Sequence, residues 1–440
     1  MGSPQEPIRV TIADDASLIY SDDFRAGWAE GFEQIGCQVQ VVDVKVLRSV
    51  GGFANSPYRS TTLRGTTKGI AQQIASWQPH LVWCHHGRAC SMDGFTDYLR
   101  RYGCQSAVYL CDEPYETGET TLYSPLFDFV FTIDPCTIAA HQAARGMQDR
   151  VWYLPAAART DHFALATYES RPTPALFLGN ASLTPRPVWL DLVEREVPGA
   201  VVKFRPRVEY GHIVPVAKGH PDWVSHEDHP RLYSSCIVGL NVHRAPWITE
   251  ECMRTRVSSR PASKPIAAGG KLATGPGPEG YGTGFWNDFN LPAGHINPRF
   301  FEMAACGTCV VNDNSRFELA RLFPSAPRAD TPERFLEIVR WFVDHPELAE
   351  QIGRECSFQI SERHSYRHRA AEVLHRAGLR GASAEGPLSF LGEPTAWLTT
   401  QDFDWLKDTS PSALTGLCGS WSPPRGTVST STSGRVSAAS

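Results

Sequence analysis

The chain reads as an α/β protein built from two doubly wound domains. Three observations predict this. Runs rich in Val, Ile and Leu alternate with stretches whose apolar residues recur at helical spacing, the alternation breaks once near the middle, and it resumes with a fresh strand. At 440 residues the chain is also too long for one ordinary core and suits two domains of roughly 150 to 200 residues each.

Ile8 to Ala13 is the first β-rich run, and the following FRAGWAEGFEQIG has helical periodicity that ends at Gly36, a helix C-cap. QVQVVDV (Gln38 to Val44) predicts a second strand. HLVWC (His80 to Cys84) predicts a third, between helices through Ile70 to Trp77 and Phe95 to Tyr102. Ala107 to Cys111 and Phe127 to Ile133 predict two more. A helix ending near Gly146 and a strand at Val151 to Leu154 complete a first domain, residues 1–165.

Pro155 to Pro174 breaks the rhythm with Pro, Ala and polar residues, and the inter-domain linker is placed there. The second domain, residues 172–378, opens with ALFLGN (Ala175 to Asn180). A helix through Val188 to Val197, a strand at Ala200 to Phe204, a short helix at His229 to Ser235 and a strand IVGLNV (Ile237 to Val242) follow. From Pro246 to Pro292 the alternation gives way to a Gly/Pro/Ser-rich insertion that begins with the basic run RTRVSSRPASK. A segment of this length is either a lid over a cleft or an idle loop. PRFFEMAACG, TCVVND and SRFELARLF resume helix, strand and helix, and three helices follow through Glu333 to Val343, Leu348 to Glu362 and Tyr366 to Ala377. Residues 379–440 form an irregular extension whose low-complexity end, GTVSTSTSGRVSAAS, is expected to be disordered.

Composition narrows the function. Hydrophobic residues make up 42% and charged residues 20%, close to the ordinary globular averages, so neither wholesale disorder nor a membrane protein is indicated. No run approaches the roughly 18 apolar residues of a membrane span. MGSPQEPIRV has neither a basic nor an apolar leader region, so a cytoplasmic protein is expected, in the host cytoplasm if phage-encoded. The net charge of -5 argues against a globally basic nucleic-acid binder and leaves a local patch open. Only seven of the 42 basic residues are Lys; this suits bidentate phosphate recognition and equally reflects GC-rich coding. The twelve Cys show no framework spacing, and Cys84, Cys111 and Cys236 sit in apolar runs, as buried thiols of a reducing compartment do. Cys306-Gly-Thr-Cys309 lacks a second Cys/His pair at metal-site spacing and predicts packed thiols at a helix-to-strand turn.

Ligands of open α/β sheets bind beyond the carboxyl ends of the strands, so polar residues there are the candidates. Asp14 and Asp15 follow the first strand, His85 and His86 follow LVWC, and Asp112 and Glu113 follow VYLC. In the second domain Gly179 and Asn180 follow ALFL, Asn241 and His243 end IVGLNV, and Asn312 and Asp313 end TCVV. No G-x-G-x-x-G follows the first strand, and the chain has no G-x-x-x-x-G-K-[ST], G-x-S-x-G or H-E-x-x-H. Dinucleotide oxidoreductases, P-loop NTPases, α/β-hydrolases and zincin-type metal catalysis therefore lose their signatures.

The run RFFEMAACGTCVVND, taken with YLCDEP, FDFVFTID, YLPAAARTDHF, LFLGNASLTPR, LNVH and ERHSYRHRAAEVL, resembles the CgeB-like (spore maturation protein) group of GT-B glycosyltransferases over Ala107 to Leu374. The resemblance implies two facing Rossmann-like domains around a central cleft. It also implies a nucleotide-diphosphate sugar held by the C-terminal domain and an acceptor held mostly by the N-terminal one. The activity implied is hexosyl or pentosyl transfer with the sugar nucleotide as donor substrate, no cofactor and no metal.

For the donor, Glu302 lies early in a helix, where a carboxylate can accept both ribose hydroxyls; the structural alternative is a helix-start Glu serving the macrodipole. Arg299 can reach diphosphate oxygens bidentately, and Arg186 stands where related GT-B enzymes carry a basic residue, with a surface ion pair as its alternative. Gly179 and Asn180 allow close backbone approach to phosphate or simply end a strand. His243 and Asn241 face the cleft or serve as hydrogen-bonded structural groups. Related retaining enzymes carry a Glu eight residues before the ribose-binding one, and Gly294 stands there in this chain.

Asp112 is the first candidate for general base and His86 the second, with turn capping the alternative for Asp112. A protein, a metabolite and a hydroxylated base in DNA all fit as acceptor. For DNA, Arg205, Arg207, Arg244, Arg254, Arg256 and Arg260 form a candidate phosphate track with Trp223 and Trp247 for stacking; a solvated Arg-bearing loop is the alternative. A catalytically inactive GT-B-like protein that binds a nucleotide sugar or serves as a scaffold is the competing functional class.

Overall fold

The structure, a computed structural model, describes residues 6–14, 21–46, 61–87, 90, 94–144, 149–165, 171–179, 181, 185–203, 207–209, 212–214, 223–244 and 291–380. Asn180, nearly all of the 246–292 insertion, Arg205, Arg254, Arg256, Arg260, Trp247 and residues 381–440 lie outside them.

The first domain runs β1 (Arg9–Asp14), α1 (Ser21–Gln34), β2 (Gln38–Val46), β3 (Thr61–Gly65), α2 (Thr67–Ser76), β4 (Leu81–His85), α3 (Phe95–Arg101), β5 (Gln105–Leu110), α4 (Thr117–Tyr123), β6 (Phe129–Thr132), α5 (Ile138–Ala143) and β7 (Val151–Tyr153). Its seven strands pair in parallel in the order β3-β2-β1-β4-β5-β6-β7. Every residue of β4 is buried, which is why LVWCH is a continuous apolar run rather than an alternating one. Trp28 of α1 covers Trp83 of β4 at a ring separation of 4.3 Å.

The second domain runs β8 (Thr173–Leu178), α6 (Arg186–Glu196), β9 (Val201–Lys203), β10 (Arg207–Glu209), β11 (His212–Val214), α7 (His229–Ser234), β12 (Cys236–Asn241), α8 (Pro298–Ala305), β13 (Cys309–Asp313), α9 (Phe317–Leu322), β14 (Arg328–Ala329), α10 (Pro332–Asp344), α11 (Pro346–Arg363) and α12 (Tyr366–Arg376). Five parallel strands take the order β14-β13-β12-β8-β9, and β10 and β11 make a separate antiparallel hairpin. The strand order reverses between β1 and β4 in one sheet and between β8 and β12 in the other, so each domain has a crevice at those carboxyl ends.

Five elements lie outside the expected set. β3 (TTLRG) is an edge strand with one neighbour and little apolar pattern, β10 and β11 pair only with each other, and β14 is two residues zipped to Asn312 and Asp313. Helix α4 (TGETTLY) buries two threonines, Thr117 and Thr120, beside Tyr123, so its covered face does not read as apolar. The Cys306 and Cys309 thiols are free and buried, and burial pushes them up, Cys306 to about 12 and Cys309 well above its usual range. No described helix is long and apolar enough to cross a membrane.

The last helix crosses back to the first domain. Arg369 is fully buried and donates to the carbonyls of Pro155 and Ala156 at 2.8 Å each, clamping α12 to the linker. Tyr366 lies against α1, where a Cβ at Gly31 would sit 2.6 Å from the Tyr366 carbonyl carbon and oxygen. Gly31→Val is therefore expected to destabilise the protein by about 1–3 kcal/mol through overpacking. Chemical denaturation at unchanged nucleotide affinity would show it, and an unaltered midpoint would refute the close packing.

Candidate functional site

On the second domain the site begins where β8 ends. Gly179 has φ +143°, and a Cβ there would lie 2.0 Å from Nη2 of Arg299 and 2.7 Å from its Cζ, so the absent side chain is what lets the guanidinium cover the strand end. Arg299 stacks over Phe177, its Cζ 4.6 Å from the ring centroid, and Arg186 reaches the same ring at 5.8 Å. Arg186 is the first residue of α6, and its Nε donates to the Val242 carbonyl at 2.7 Å. Burial pushes the Arg186 guanidinium down to about 9, and the nearby charges of Arg299 and Arg244 push the same way. Three like charges are thus held together at the carboxyl edge of a sheet. A multivalent anion with several oxygens relieves that repulsion.

Helix α8 supplies the next layer. Asn297 is its N-cap and Pro298 occupies the first turn, where a missing N–H costs nothing. Glu302 follows Arg299 by one turn and accepts a hydrogen bond from the Tyr233 hydroxyl at 3.1 Å. Burial, and then the Glu302 charge, raise the Tyr233 hydroxyl well above its usual range, so it stays a donor. Gly307, beyond the helix, takes φ +72° at the turn into β13. Neither polar atom of the Asn297 amide has a hydrogen-bond partner among the described residues, beside the Arg299 that follows it by two positions.

His243 and Asn241 hold this edge together. The Asn241 amide donates to Asn312 Oδ1 at 2.8 Å, tying the ends of β12 and β13. His243 is pushed down to about 4 by burial, which outweighs the pull of Asp313 in the other direction. The neutral ring bonds Asp313 Oδ1 through Nδ1 at 2.6 Å and accepts from the Asn297 N–H through Nε2 at 3.4 Å. It therefore fixes the N-terminus of the helix that carries Arg299 and Glu302.

On the first domain His86 and Asp112 are brought together at the ends of β4 and β5. His86 has φ +67°, an uncommon conformation for a residue with a side chain, and is fixed by its N–H to the Tyr109 carbonyl and by the Tyr123 hydroxyl on its own carbonyl. Its Nε2 lies 2.9 Å from Glu116 Oε2 and 3.3 Å from Asp112 Oδ2. Burial opposes charge on His86, but Glu116 and Asp112 outweigh it and lift the imidazole to about 10. Of the two carboxylates, Glu116 is 2% exposed at its side chain and Asp112 34%, so Asp112 is the one that meets solvent.

Arg244 joins the two halves. Its Nη2 lies 3.9 Å from Asp112 Oδ1, and its guanidinium lies 3.2 Å from the centroid of Tyr115, a residue of the same loop as Asp112. Arg316 donates to the Tyr115 hydroxyl at 2.9 Å and to the Arg244 carbonyl at 2.8 Å. Deeper in the interface, buried Asp134 accepts from the N–H groups of Gly294 and His295 and pairs with His295 Nδ1 at 2.8 Å. Glu318 bonds both Tyr153 and the Ile296 N–H. Gly294 is packed so that a Cβ would lie 2.4 Å from the Phe317 ring and 3.2 Å from Cys136 Sγ. A Glu at that position has no room.

Gly179, Arg186, Arg299, Glu302, Asn241 and His243 thus converge on one edge of the second sheet, and Asp112 and His86 face it from the first. Asn180 lies outside the described residues, as do most members of the arginine track, of which Arg207 lies in β10 and Arg244 contacts Asp112. Arg244 as a bridge, Asn297, Glu116 and Tyr233 are additions from the structure. The adjacency of Arg244 to His243 is the one sequence signal that pointed to any of them.

Residues 189–375 match the family model described as "Glycosyl transferase-like". No curated protein sequence matches the chain. Among solved structures, Anabaena HepE in complex with UDP and glucose aligns with a TM-score of 0.54 at 9% identity, over 84% of this chain and 99% of that one. Sucrose-phosphate synthase from Thermosynechococcus elongatus aligns with a TM-score of 0.50 at 11% identity, over 83% and 97%. An α-glucosyltransferase in complex with UDP and a 13-mer DNA containing a HMU base aligns with a TM-score of 0.51 at 10% identity, over 91% and 100%. The chain has the GT-B glycosyltransferase fold, and the part of it that matches a glycosyl transferase-like sequence family is the domain that carries the arginine cluster.

Proposed function

We propose that this protein is a glycosyltransferase of the CgeB-like kind that moves a hexosyl or pentosyl group from a nucleotide-diphosphate sugar to an acceptor hydroxyl, without a catalytic metal. The crowding of Arg186, Arg299 and Arg244 at the strand edge carries the reading. A leaving diphosphate gathers negative charge as the glycosidic bond breaks, and preorganised guanidiniums aimed at it stabilise that charge in a site of low dielectric. Glu302, held by Tyr233, accepts the ribose hydroxyls, and His243 keeps α8 in register below them.

Asp112 is the group that accepts the acceptor proton. His86 already carries its proton in this arrangement and has no lone pair to offer, so its part is to position Asp112. Arg244 touches Asp112 and lies within the field of Arg186, so the charge of an arriving donor is felt at the base through one side chain. Closure of the domains over both substrates excludes water that would otherwise hydrolyse the donor.

The test is a thermal-shift and calorimetric screen against UDP, GDP, dTDP and their sugars, since a ligand that binds only the folded state raises its stability. Glu302→Ala is expected to weaken the nucleotide that binds by about 1–3 kcal/mol; an unchanged titration removes Glu302 from the site. Release of nucleoside diphosphate with any acceptor identifies an enzyme, and binding without turnover across a broad panel identifies a binder. Duplex DNA carrying 5-hydroxymethyluracil belongs in that panel because the α-glucosyltransferase with this fold was solved with HMU-containing DNA. Retention on DNA that falls steeply with salt is the expected signature of that acceptor.

A further inference from the structure

We propose that His226, His229 and Glu302 bind one divalent transition-metal ion of the zinc class, and that this ion and the nucleotide exclude one another. One ligand atom from each side chain lies within 4.8 Å of the others. The two histidines are three positions apart across a short 3-10 turn, His226–Asp228, that runs directly into α7, and the His229 N–H bonds the His226 carbonyl. This closes the turn and sets the two rings 4.6 Å apart on one side. Glu302 arrives from α8, with its carboxylate held by Tyr233, whose ring lies 5.7 Å from that of His229. His162, from the segment between the domains, stacks on the His226 ring at 5.7 Å and 20°.

The donor set decides the metal. Two imidazoles and one carboxylate suit zinc, nickel or cobalt, whereas magnesium and calcium take oxygen donors and retain water. Metal–ligand bonds of about 2.0–2.2 Å need the three atoms roughly an ångström closer together than their outer limit here, a distance that side-chain rotation of partly exposed residues spans. Three protein ligands leave a coordination position for water. The exclusion rests on the donor reading given above: a carboxylate oxygen bound to a metal is not available to the hydroxyls of a ribose. Zinc is therefore an inhibitor that acts at the donor subsite, and it assists no step of transfer.

The experiment titrates Zn2+ into the full chain in a non-chelating buffer, with a chromophoric chelator as competitor, for the wild type and for His226→Ala, His229→Ala and the control His375→Ala. Circular dichroism melts confirm that each variant is folded. One equivalent of zinc is expected in the wild type and in His375→Ala, with affinity at least about tenfold weaker in the other two. UDP affinity is then measured with and without zinc in each protein. The ratio is expected to fall in the wild type and to fall less in His229→Ala, a comparison that cancels direct chelation of zinc by UDP. Equal zinc affinity in all four proteins, or no binding, overturns the metal site. Zinc held by His226 and His229 with no effect on UDP binding overturns the exclusion, and failure of UDP, GDP and dTDP alike to bind the metal-free protein overturns the donor reading and leaves the metal result standing.

Discussion

Asp112→Asn is expected to lower turnover by about 10²- to 10⁴-fold, the usual worth of a positioned general base, while nucleotide affinity stays within about twofold. The substitution keeps the shape and a hydrogen-bonding oxygen for His86 but replaces the basic carboxylate by an amide that is too weak a base to take the proton. Glu116 cannot substitute, because it is the more deeply buried partner of the same imidazole. His86→Gln separates positioning from proton transfer: it removes the cation beside Asp112 but leaves the carboxylate, so the expected result is partial activity with a shifted pH profile. A second consequence concerns stability. The folded protein holds the His86 proton up to about pH 10 against about 6.5 for an unperturbed histidine. The stabilisation is complete below about pH 6.5 and declines as pH rises towards 10, because the unfolded chain gives up that proton first. The wild type is therefore expected to lose more stability between pH 7 and about pH 10 than His86→Gln does. A fully active Asp112→Asn protein would end the case for Asp112 as the base.

Much of this architecture is legible in the sequence because parallel strands covered on both faces must be continuous apolar runs. LVWCH and VVND between helical periodicities show both the strands and where they stop, and the rule that ligands meet strand ends then isolates His86, Asp112, Gly179, Asn241 and His243. The sequence does not show what each side chain touches. Asn241 and His243 stand at the expected edge, yet their partners are Asn312 and Asp313, some seventy positions on, and these turn both residues into braces. The bridge of Arg244, Tyr115 and Arg316 is closed by contacts spanning 129 and 201 residues, which no local pattern encodes. Gly294 shows the same limit. Its distance from Glu302 suggests a position by the sugar, whereas packing against Phe317 and Cys136 places it in the contact between the domains.

Arg299→Ala is expected to weaken the binding of UDP by about 1.5–3 kcal/mol, roughly 10- to 150-fold, while leaving the melting temperature of the ligand-free protein unchanged or higher. The two effects have one cause. Burial first, and Arg299 after it, depress the Arg186 guanidinium at the strand edge, so removal of Arg299 relieves the part of that cost that is repulsion, which the folded protein sustains without ligand. The same charge is an attractive partner once a diphosphate lies between the two side chains, and its loss then leaves Arg186 to meet that anion without it. Opposite changes in stability and affinity are what a binding site held against its own repulsion produces, because preorganised like charges cost folding energy and stabilise only the bound state. Arg299→Lys keeps the charge without the planar fork and is expected to fall between, with stability near the wild type and affinity partly retained. Calorimetric titration of UDP together with unfolding of the ligand-free variants measures both quantities. A destabilised Arg299→Ala protein that binds UDP as the wild type does would assign Arg299 to packing on Phe177 and Gly179, and the anion site would have to be sought elsewhere.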